Sequence, residues 1–382
     1  MTDVATLESR LLDAIARRPD PGRFESLALE VFAYQYADNR PYRRFCDRRG
    51  ITPSRIDQWR QIPAVPTSAF KVAELTCRPG NPAEALFLTS GTTQGLEKRG
   101  RHVVADLTLP HAAIESNAQA CLFPDLPRAD GRRVQILSLT PPPSLRPYSS
   151  LIHMIDLLMR RWGSAESRFL GESAGFNGSV LRKALQHAAG EHRPVALFGT
   201  TAAFSEWFDE CETSGWAVLL PPNSRMMDTG GRKGVDGRLA PSLRTVVDRE
   251  AFLASCWRLL GLPAHAVVNE YGMTELGSQF YDDGLAAVTA GIPPVGQKII
   301  PPWVRVRVID PVSGEEAPDG TIGLLRHYDL ANLHSVMAVQ TDDRGLKRPG
   351  QTETGGFDLV GRAAGSEPRG CSLDPSSVLL TR

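Results

Sequence analysis

LTSGTTQG at residues 88–95 and NEYGMTELGSQFY at residues 269–281 are the two stretches that decide how this chain reads. The first is a turn of Thr89, Ser90, Gly91, Thr92 and Thr93 directly after an apolar run. Small residues let a backbone approach an anion closely, and hydroxyls with successive N–H groups make a phosphate cradle. The second stretch offers an aromatic ring at Tyr271, a flexible Gly272 and a carboxylate at Glu275. Such a set can stack on a base and hold a hard cation such as Mg²⁺. A phosphate cradle, a base platform and a metal carboxylate together describe an ATP site without a Walker lysine. Read alone, the Ser/Thr/Gly cluster fits a polar surface turn equally well; its pairing with the second stretch carries the reading.

Working outward, the chain around these motifs has the make-up of an ordinary enzyme. Its 382 residues allow two or three domains, and a hydrophobic content of 42% supplies a large core. Lys+Arg and Asp+Glu both total 43, so no global basic field attracts nucleic acid. The start, MTDVATLESRLLDAIARR, is acidic and amphipathic, unlike a signal peptide, and no apolar run approaches a membrane span. Cys46, Cys77, Cys121, Cys211, Cys256 and Cys371 are scattered, with no CxxC pair and no histidine at ligand spacing. That argues against a zinc site and against a disulfide framework, and a cytoplasmic protein is expected. Five of the six read as inert small hydrophobes.

The fold class expected is α/β. Residues 1–84 read as a helical N-terminal segment packed on the main domain, with Leu7, Leu11, Leu12 and Ile15 at helical spacing. A second helix starts near Phe24, and the proline-rich stretch 62–70 reads as an extended connector. From residue 85 to 361, short apolar runs alternate with helical segments: 85–88, 134–139, 195–198, 217–220 and 266–268. This pattern argues an α/β domain with largely parallel sheets. Residues 151–162 read as a buried helix, with His153 a core histidine. WVRVRVI at 303–309 reads as a half-buried alternating strand, and the basic stretch 98–102 as a solvated face. Gly199 and Thr200, after the apolar run 195–198, mark a strand end suited to line a substrate pocket. Residues 362–382, rich in Gly, Pro and Ser, read as a flexible tail carrying Cys371.

Six segments occur in one order: IPAVPTSAFK (62–71), LTSGTTQG, DTGGRKG (228–234), EYGMTELGSQFY (270–281), QTDDRG (340–345) and LVGRAAGSEPRGCSL (359–373). This set resembles the acyl-protein synthetase family, the LuxE-type fatty-acid-activating component of bacterial bioluminescence reductase systems, within the adenylate-forming superfamily. The resemblance implies an adenylate-forming, acyl-CoA synthetase-like large domain. It implies that Ser90, Gly91, Thr92 and Thr93 hold ATP phosphates, with Thr89 beside them, that Gly230 and Gly231 leave room for the adenine, and that Gly272 belongs to the cofactor-binding set. Tyr271 would stack on the base, Thr274 would contact the α-phosphate or acyl oxygen, and Glu275 would bind Mg²⁺. Asp343 matches the ribose-binding aspartate best, with Asp342 the nearer alternative, and Arg362 matches the hinge arginine. Two departures stand out. Gln94 replaces a glycine in the phosphate loop, and only twenty residues follow Arg362, none of them lysine. The C-terminal lysine domain of most relatives is therefore absent from this reading: either the lysine role is dispensed with, or another basic residue supplies it, with Arg369 and Lys98 as candidates.

Cys371 lies two positions after Arg369, and a neighbouring guanidinium raises a thiol's thiolate fraction. Nine residues beyond Arg362, it could travel on the order of 30 Å on an extended chain. The function implied is ATP-dependent activation of a carboxylic acid, a fatty acid by resemblance, to acyl-AMP. Transfer to Cys371 would follow, giving an acyl-thioester for a partner such as a fatty-acid reductase. Two other readings stay open: an acyl- or aryl-CoA ligase or carrier-protein loader, and a non-catalytic nucleotide-binding scaffold.

Overall fold

The computed structural model describes residues 3–17, 21–89, 99–126, 131–173, 175–230, 248–348 and 355–362. Helices α1 (Val4–Arg17), α2 (Pro21–Asp38) and α3 (Arg40–Asp47) come first, then β1 (Val65–Pro66) and α4 (Ala69–Val72). Strands β2 (Ala85–Leu88) and β3 (Arg101–Val104) pair antiparallel and lead to α5 (Thr108–Cys121). An alternating series follows: β4 (Gln135–Ser138), α6 (Ser150–Trp162), β5 (Arg168–Phe169), α7 (Gly178–Gly190), β6 (Val195–Thr200), α8 (Thr201–Thr213), β7 (Arg225–Thr229), α9 (Arg249–Leu260) and β8 (Val267–Tyr271). The remainder is β9 (Phe280–Tyr281), α10 (Gly284–Thr289), β10 (Lys298–Ile299), β11 (Val304–Ile309), β12 (Gly323–Asp329), β13 (Ala338–Leu346) and β14 (Gly356–Arg362). Two compact units divide these residues. Met1–Ser116, Met273–Gln279 and Ile300–Arg382 form the first; Asn117–Gly272 and Phe280–Ile299 form the second.

The second unit carries the parallel sheet that the alternation predicts. Its strand order is β5-β4-β6-β7-β8-β9, with every pair parallel except the edge strand β9. The order reverses between β4 and β6, a topological switch point, where crevices form outside the carboxyl ends of strands. Buried side chains of β4, β6 and β7 pack against α7, α8 and α9, with Trp207 and Leu197 fully enclosed. Helix α6 is the buried helix expected: Ile152, Met154, Ile155, Leu157, Leu158 and Trp162 are all buried. One expected strand is not there. Residues 217–220 form no strand; Val218 and Leu220 donate their N–H groups to the last carbonyls of α9, Leu259 and Leu260. Those carbonyls lack partners within the helix, so the apolar run caps a helix end instead of joining the sheet.

The first unit is built differently. Strands β14-β13-β12-β11 form an antiparallel sheet, and β1 joins the edge of β13 in parallel. Each of β11, β12 and β13 pairs antiparallel with the next strand along the chain. The proline-rich connector is thus extended only over β1 before it coils into α4. The alternating WVRVRVI segment is β11, but it is buried on both faces. Arg305 is 1% exposed; its guanidinium lies 4.1 Å above the Phe24 ring and donates to the carbonyls of Pro302 and Val304. Helix α2 covers what sequence alternation assigns to water. Trp59 extends the cover, edge-on to both Phe24 and Tyr328. Burial pushes Arg305 down to about 10, still charged at neutral pH.

A second buried arginine ties the loop after α5 to the parallel sheet. Arg225 donates to Asp125 Oδ1 at 2.5 Å and Oδ2 at 2.7 Å, and to the carbonyls of Leu122 and Asn223. Arg225→Met would strip four acceptors of their donor. Breaking a buried ion pair from one side costs about 3–5 kcal/mol, with the low end expected because Asp125 keeps 26% of its side chain in water. Urea unfolding should show a loss of about 3 kcal/mol, and a loss under about 1 kcal/mol would refute this role.

Candidate active site

The Thr274–Glu275 turn belongs to the first unit and is held from several sides. The buried His102 ring on β3 donates from Nδ1 to the Thr274 carbonyl at 2.6 Å. Asn332 Nδ2 donates to the Glu275 carbonyl at 2.7 Å. Asp329, fully buried at the end of β12, accepts from Gly277 N and from Ser278 Oγ. Trp303 Nε1 donates to the same Ser278 hydroxyl. Gly277 is closely packed: a Cβ there would stand 3.1 Å from Ala331 Cβ and 3.2 Å from Asn332 Oδ1, so both would have to give way by a few tenths of an ångström. The turn thus presents the Thr274 and Glu275 side chains on a backbone held at the Thr274 and Glu275 carbonyls and the Gly277 amide.

The basic stretch 98–102 was expected at a solvated surface, and His102 corrects that expectation. The strand buries alternate residues, so His102 and Val104 face inward while Arg101 faces water. Burial lowers the His102 pKa to about 4, so the ring is neutral and its Nδ1 carries the proton given to Thr274. The period-2 pattern H-x-V was the signal; the flanking arginines masked it.

Glu275 is 6% exposed, and burial pushes its carboxyl up to about 7. Arg362 and Lys71 pull it down, while Asp343 pushes it up. Asp342 is also raised, chiefly by burial, with the same Arg362, Asp343 and Lys71 as its charged neighbours. Five charged groups from α4, the 273–278 turn, β13 and β14 therefore share one region of the first unit. Asp343 and Arg362 stand opposite each other across the β13–β14 pair, with Nε 3.4 Å from Oδ1. Lys71 was not singled out from sequence as a site residue, though it ends the IPAVPTSAFK segment. Among the described residues, no second and third carboxylate or histidine join Glu275 in a closed metal cage. One buried, costly carboxylate fits a hard cation that brings other oxygen ligands of its own, the habit of Mg²⁺.

Thr89 stands at the foot of the phosphate-loop sequence, and its hydroxyl accepts from Gly100 N at 2.8 Å. Its backbone N–H donates to the Gly100 carbonyl, so Thr89 closes the neck between β2 and β3. Ser90, Gly91, Thr92, Thr93, Lys98, Gly231, Arg369 and Cys371 lie outside the described residues.

The second unit holds the rest. Tyr271 ends β8 and is 8% exposed, its ring 5.7 Å from Phe280 in a tilted contact. Gly272, next in the chain, is exposed. Gly230 follows β7 with φ 84°, a conformation that glycine adopts without strain. Its carbonyl accepts from Thr201 Oγ1 at 2.9 Å and Asn269 Nδ2 at 3.1 Å. Both donors also reach the fully buried Asp228, which Arg249 Nη1 meets at 2.8 Å. Asp228, Thr201 and Arg249 therefore set the start of the DTGG segment, a role invisible from spacing because they lie on β7, α8 and α9. Gly199 and Thr200 sit at the carboxyl end of β6, beside the switch point. Gly199 is hemmed in: a Cβ would lie 3.1 Å from the Phe204 ring and 3.2 Å from Leu139 Cβ. Thr200 caps α8 by accepting from Ala203 N.

The family model of acyl-protein synthetase, LuxE, matches residues 183–379, just over half of the chain. The chain belongs to that family. It is an acid–thiol ligase. The long-chain-fatty-acid–luciferin-component ligase of Aliivibrio fischeri is 21% identical over 371 residues, covering 93% of this chain and 88% of that protein. The Vibrio harveyi protein of the same description is 21% identical over 361 residues, covering 92% and 87%. Among solved structures, 2-hydroxyisobutyryl-CoA ligase in an open conformation with 2-HIB-AMP and CoA aligns with TM-score 0.60 and 12% identity, over 90% of this chain and 76% of its own. Its postadenylation state gives TM-score 0.61 at 13% identity, over 90% and 68%. The fold is the adenylate-forming α/β fold. No helix among the described residues is long and apolar enough to cross a membrane.

The cost of burying Glu275 gives a pH signature. Its folded pKa of about 7 lies above the ordinary 4.5, so the carboxyl's stability contribution is complete below 4.5 and is lost as pH rises through 7. The loss is on the order of 3 kcal/mol. Glu275→Gln should therefore raise the melting temperature over the parent at pH 8 and have little effect at pH 4.5. Equal shifts at both values would show that the carboxyl is not held neutral by burial.

Proposed function

We propose that this enzyme condenses ATP with a fatty acid to an acyl-AMP and then carries the acyl group on Cys371. The observation that carries the reading is the anchored Thr274–Glu275 turn, with Asp343 and Arg362 among its charged neighbours. Family membership and the naming of both relatives as fatty-acid ligases support the choice of acid.

In the first half-reaction an acid oxygen attacks the α-phosphorus of ATP in line, and pyrophosphate leaves. The residue 90–93 loop would hold the phosphates, with Thr89 fixing its neck. Thr274 would give its hydroxyl to the α-phosphate or acyl oxygen, on a turn whose backbone is pinned by His102 and Asn332. Positioning of this kind supplies much of the rate in such reactions. Glu275 would hold Mg²⁺, which when bound neutralises charge on the phosphates. Asp343 would accept from the ribose hydroxyls, with Arg362 across the strand pair and Asp342 as the alternative. Gly230, Gly231, Gly272 and Tyr271 would form the adenine site. The Tyr271 contact with Phe280 fixes the tilt of the ring presented to the base. Gly199 and Thr200 would border the acyl pocket.

In the second half-reaction the Cys371 thiolate attacks the acyl carbon and AMP leaves, giving the thioester. We assign residues 362–382 as the arm that delivers this thiol, residues 1–84 as the helical segment and 85–361 as the adenylating part. The acceptor that follows would be a reductase-type partner. The five described cysteines are buried, and burial raises Cys46, Cys77, Cys211 and Cys256, which disfavours these four as thiolates.

The test separates the half-reactions. With ATP, Mg²⁺ and a labelled long-chain fatty acid, Cys371→Ala should keep acid-dependent pyrophosphate exchange within about twofold while losing covalent label. Label on the parent should be released by neutral hydroxylamine. Undiminished label on Cys371→Ala, or acyl transfer to free CoA in its place, would overturn the tethered-thiol mechanism. Absence of exchange with every fatty acid would overturn the substrate.

A further inference from the structure

Away from the adenylating residues, the first unit gathers Glu8 from α1, Asp106 from the β3–α5 turn and His334 from the β12–β13 turn. One ligand atom from each lies within 4.8 Å of the others. All three line a cavity of about 20 Å³, room for one water-sized body. His334 is only 7% exposed, and its Nε2 is buried with no hydrogen-bond partner. A buried ring nitrogen without a partner is costly, and native folds rarely leave one unexplained. Its other nitrogen, Nδ1, stands 3.0 Å from the Tyr34 hydroxyl. With Nδ1 as donor to Tyr34, Nε2 keeps a free lone pair, which is how metal-ligating histidines are usually oriented.

We propose that Glu8, Asp106 and His334 form a site for a divalent transition metal of the Zn²⁺ kind, pinning helix α1 to the two turns. Imidazole selects a borderline metal over Mg²⁺ or Ca²⁺, and two carboxylates complete a three-residue donor set with space for a solvent ligand. The charges allow it. Arg78 Nη1 lies 3.4 Å from Asp106 Oδ2, so two carboxylates face one guanidinium and a net negative charge remains. Asp106 Oδ1 accepts from Thr108 N, which fixes the carboxylate plane. Ligands of one tetrahedral ion stand about 3–4 Å apart, so closure asks for a shift of roughly 1 Å, available to the half-buried Glu8 side chain. Sequence spacing could not show this site, because its donors are separated by 98 and 228 residues.

The test uses the full chain, stripped of metal and titrated with Zn²⁺ against a chromophoric chelator. A Cys371→Ala chain run in parallel removes any contribution from that thiol. One equivalent should bind in both, and saturating Zn²⁺ should raise the melting temperature. Glu8→Gln, on a partly exposed helical position, and His334→Gln should each weaken binding at least tenfold, and Tyr34→Phe by about 10-fold or more through loss of the histidine's partner. Failure to bind one equivalent in the Cys371→Ala chain, or unchanged affinity in the folded Glu8→Gln chain, would overturn the proposal.

Discussion

The buried carboxylate of Asp329 is the interaction on which the candidate site's turn in the first unit rests. It accepts from Gly277 N and Ser278 Oγ on one side and from Ala331 N on the other. Burial pushes it up to about 6, while these donors pull it back. A charge held in this way fixes two turns relative to one another, since neither can move without orphaning it. One of those turns carries Thr274 and Glu275. The other, residues 330–337, is held in turn by α2. Gln35 donates to the carbonyls of Asn332 and Leu333 and accepts from Met337 N, and Asn39 donates to Ser335 O. The N-terminal helices are therefore part of the support of the site and not a separate cover.

The division of labour between anchored backbone and expensive side chain is consistent. Glu275 has its carbonyl satisfied by Asn332, yet its carboxyl sits where water does not reach well. A fold selected for stability alone would place glutamine or an apolar residue there. Under the proposed function, this acid would become favourable once a cation and phosphates bind, and part of the binding energy would be spent on relieving its burial. The unit 2 network around Asp228 follows the same rule at a smaller scale, with Thr201, Asn269 and Arg249 satisfying a fully buried acid and so fixing the backbone at Gly230.

What the sequence made legible was local. The alternation from residue 85 onward gave β4, β6 and β8, because parallel strands covered on both faces read as short apolar runs, and it missed β7. The strand end at Gly199–Thr200 was visible for the same reason. What failed was anything decided by a distant partner. Arg305 on β11 reads as water-facing until Phe24 of α2 covers it. Val218 and Leu220 read as a strand because nothing in their own sequence announces the open carbonyls of α9. His102 was lost among arginines, although its neighbour two residues on shares its inward face. The discontinuity of the first unit, closed from three separate stretches, has no local signature at all.

That discontinuity bears on how the chain is made. The bond from Gln35 to Asn332 spans 297 residues. During synthesis Gln35, and the faces of Phe24 and Trp59 that meet Arg305 and Tyr328, lack those partners until residues 305–332 leave the ribosome. The second unit is nearly continuous, from Asn117 to Gly272 with a short return at Phe280–Ile299, and its parallel strands pair with near neighbours. It can condense first, while the first unit pays a large loop-closure entropy before its sheet forms. A slow final step of this kind leaves apolar helix faces open to chaperones, or to each other, for the whole time the middle of the protein is being written.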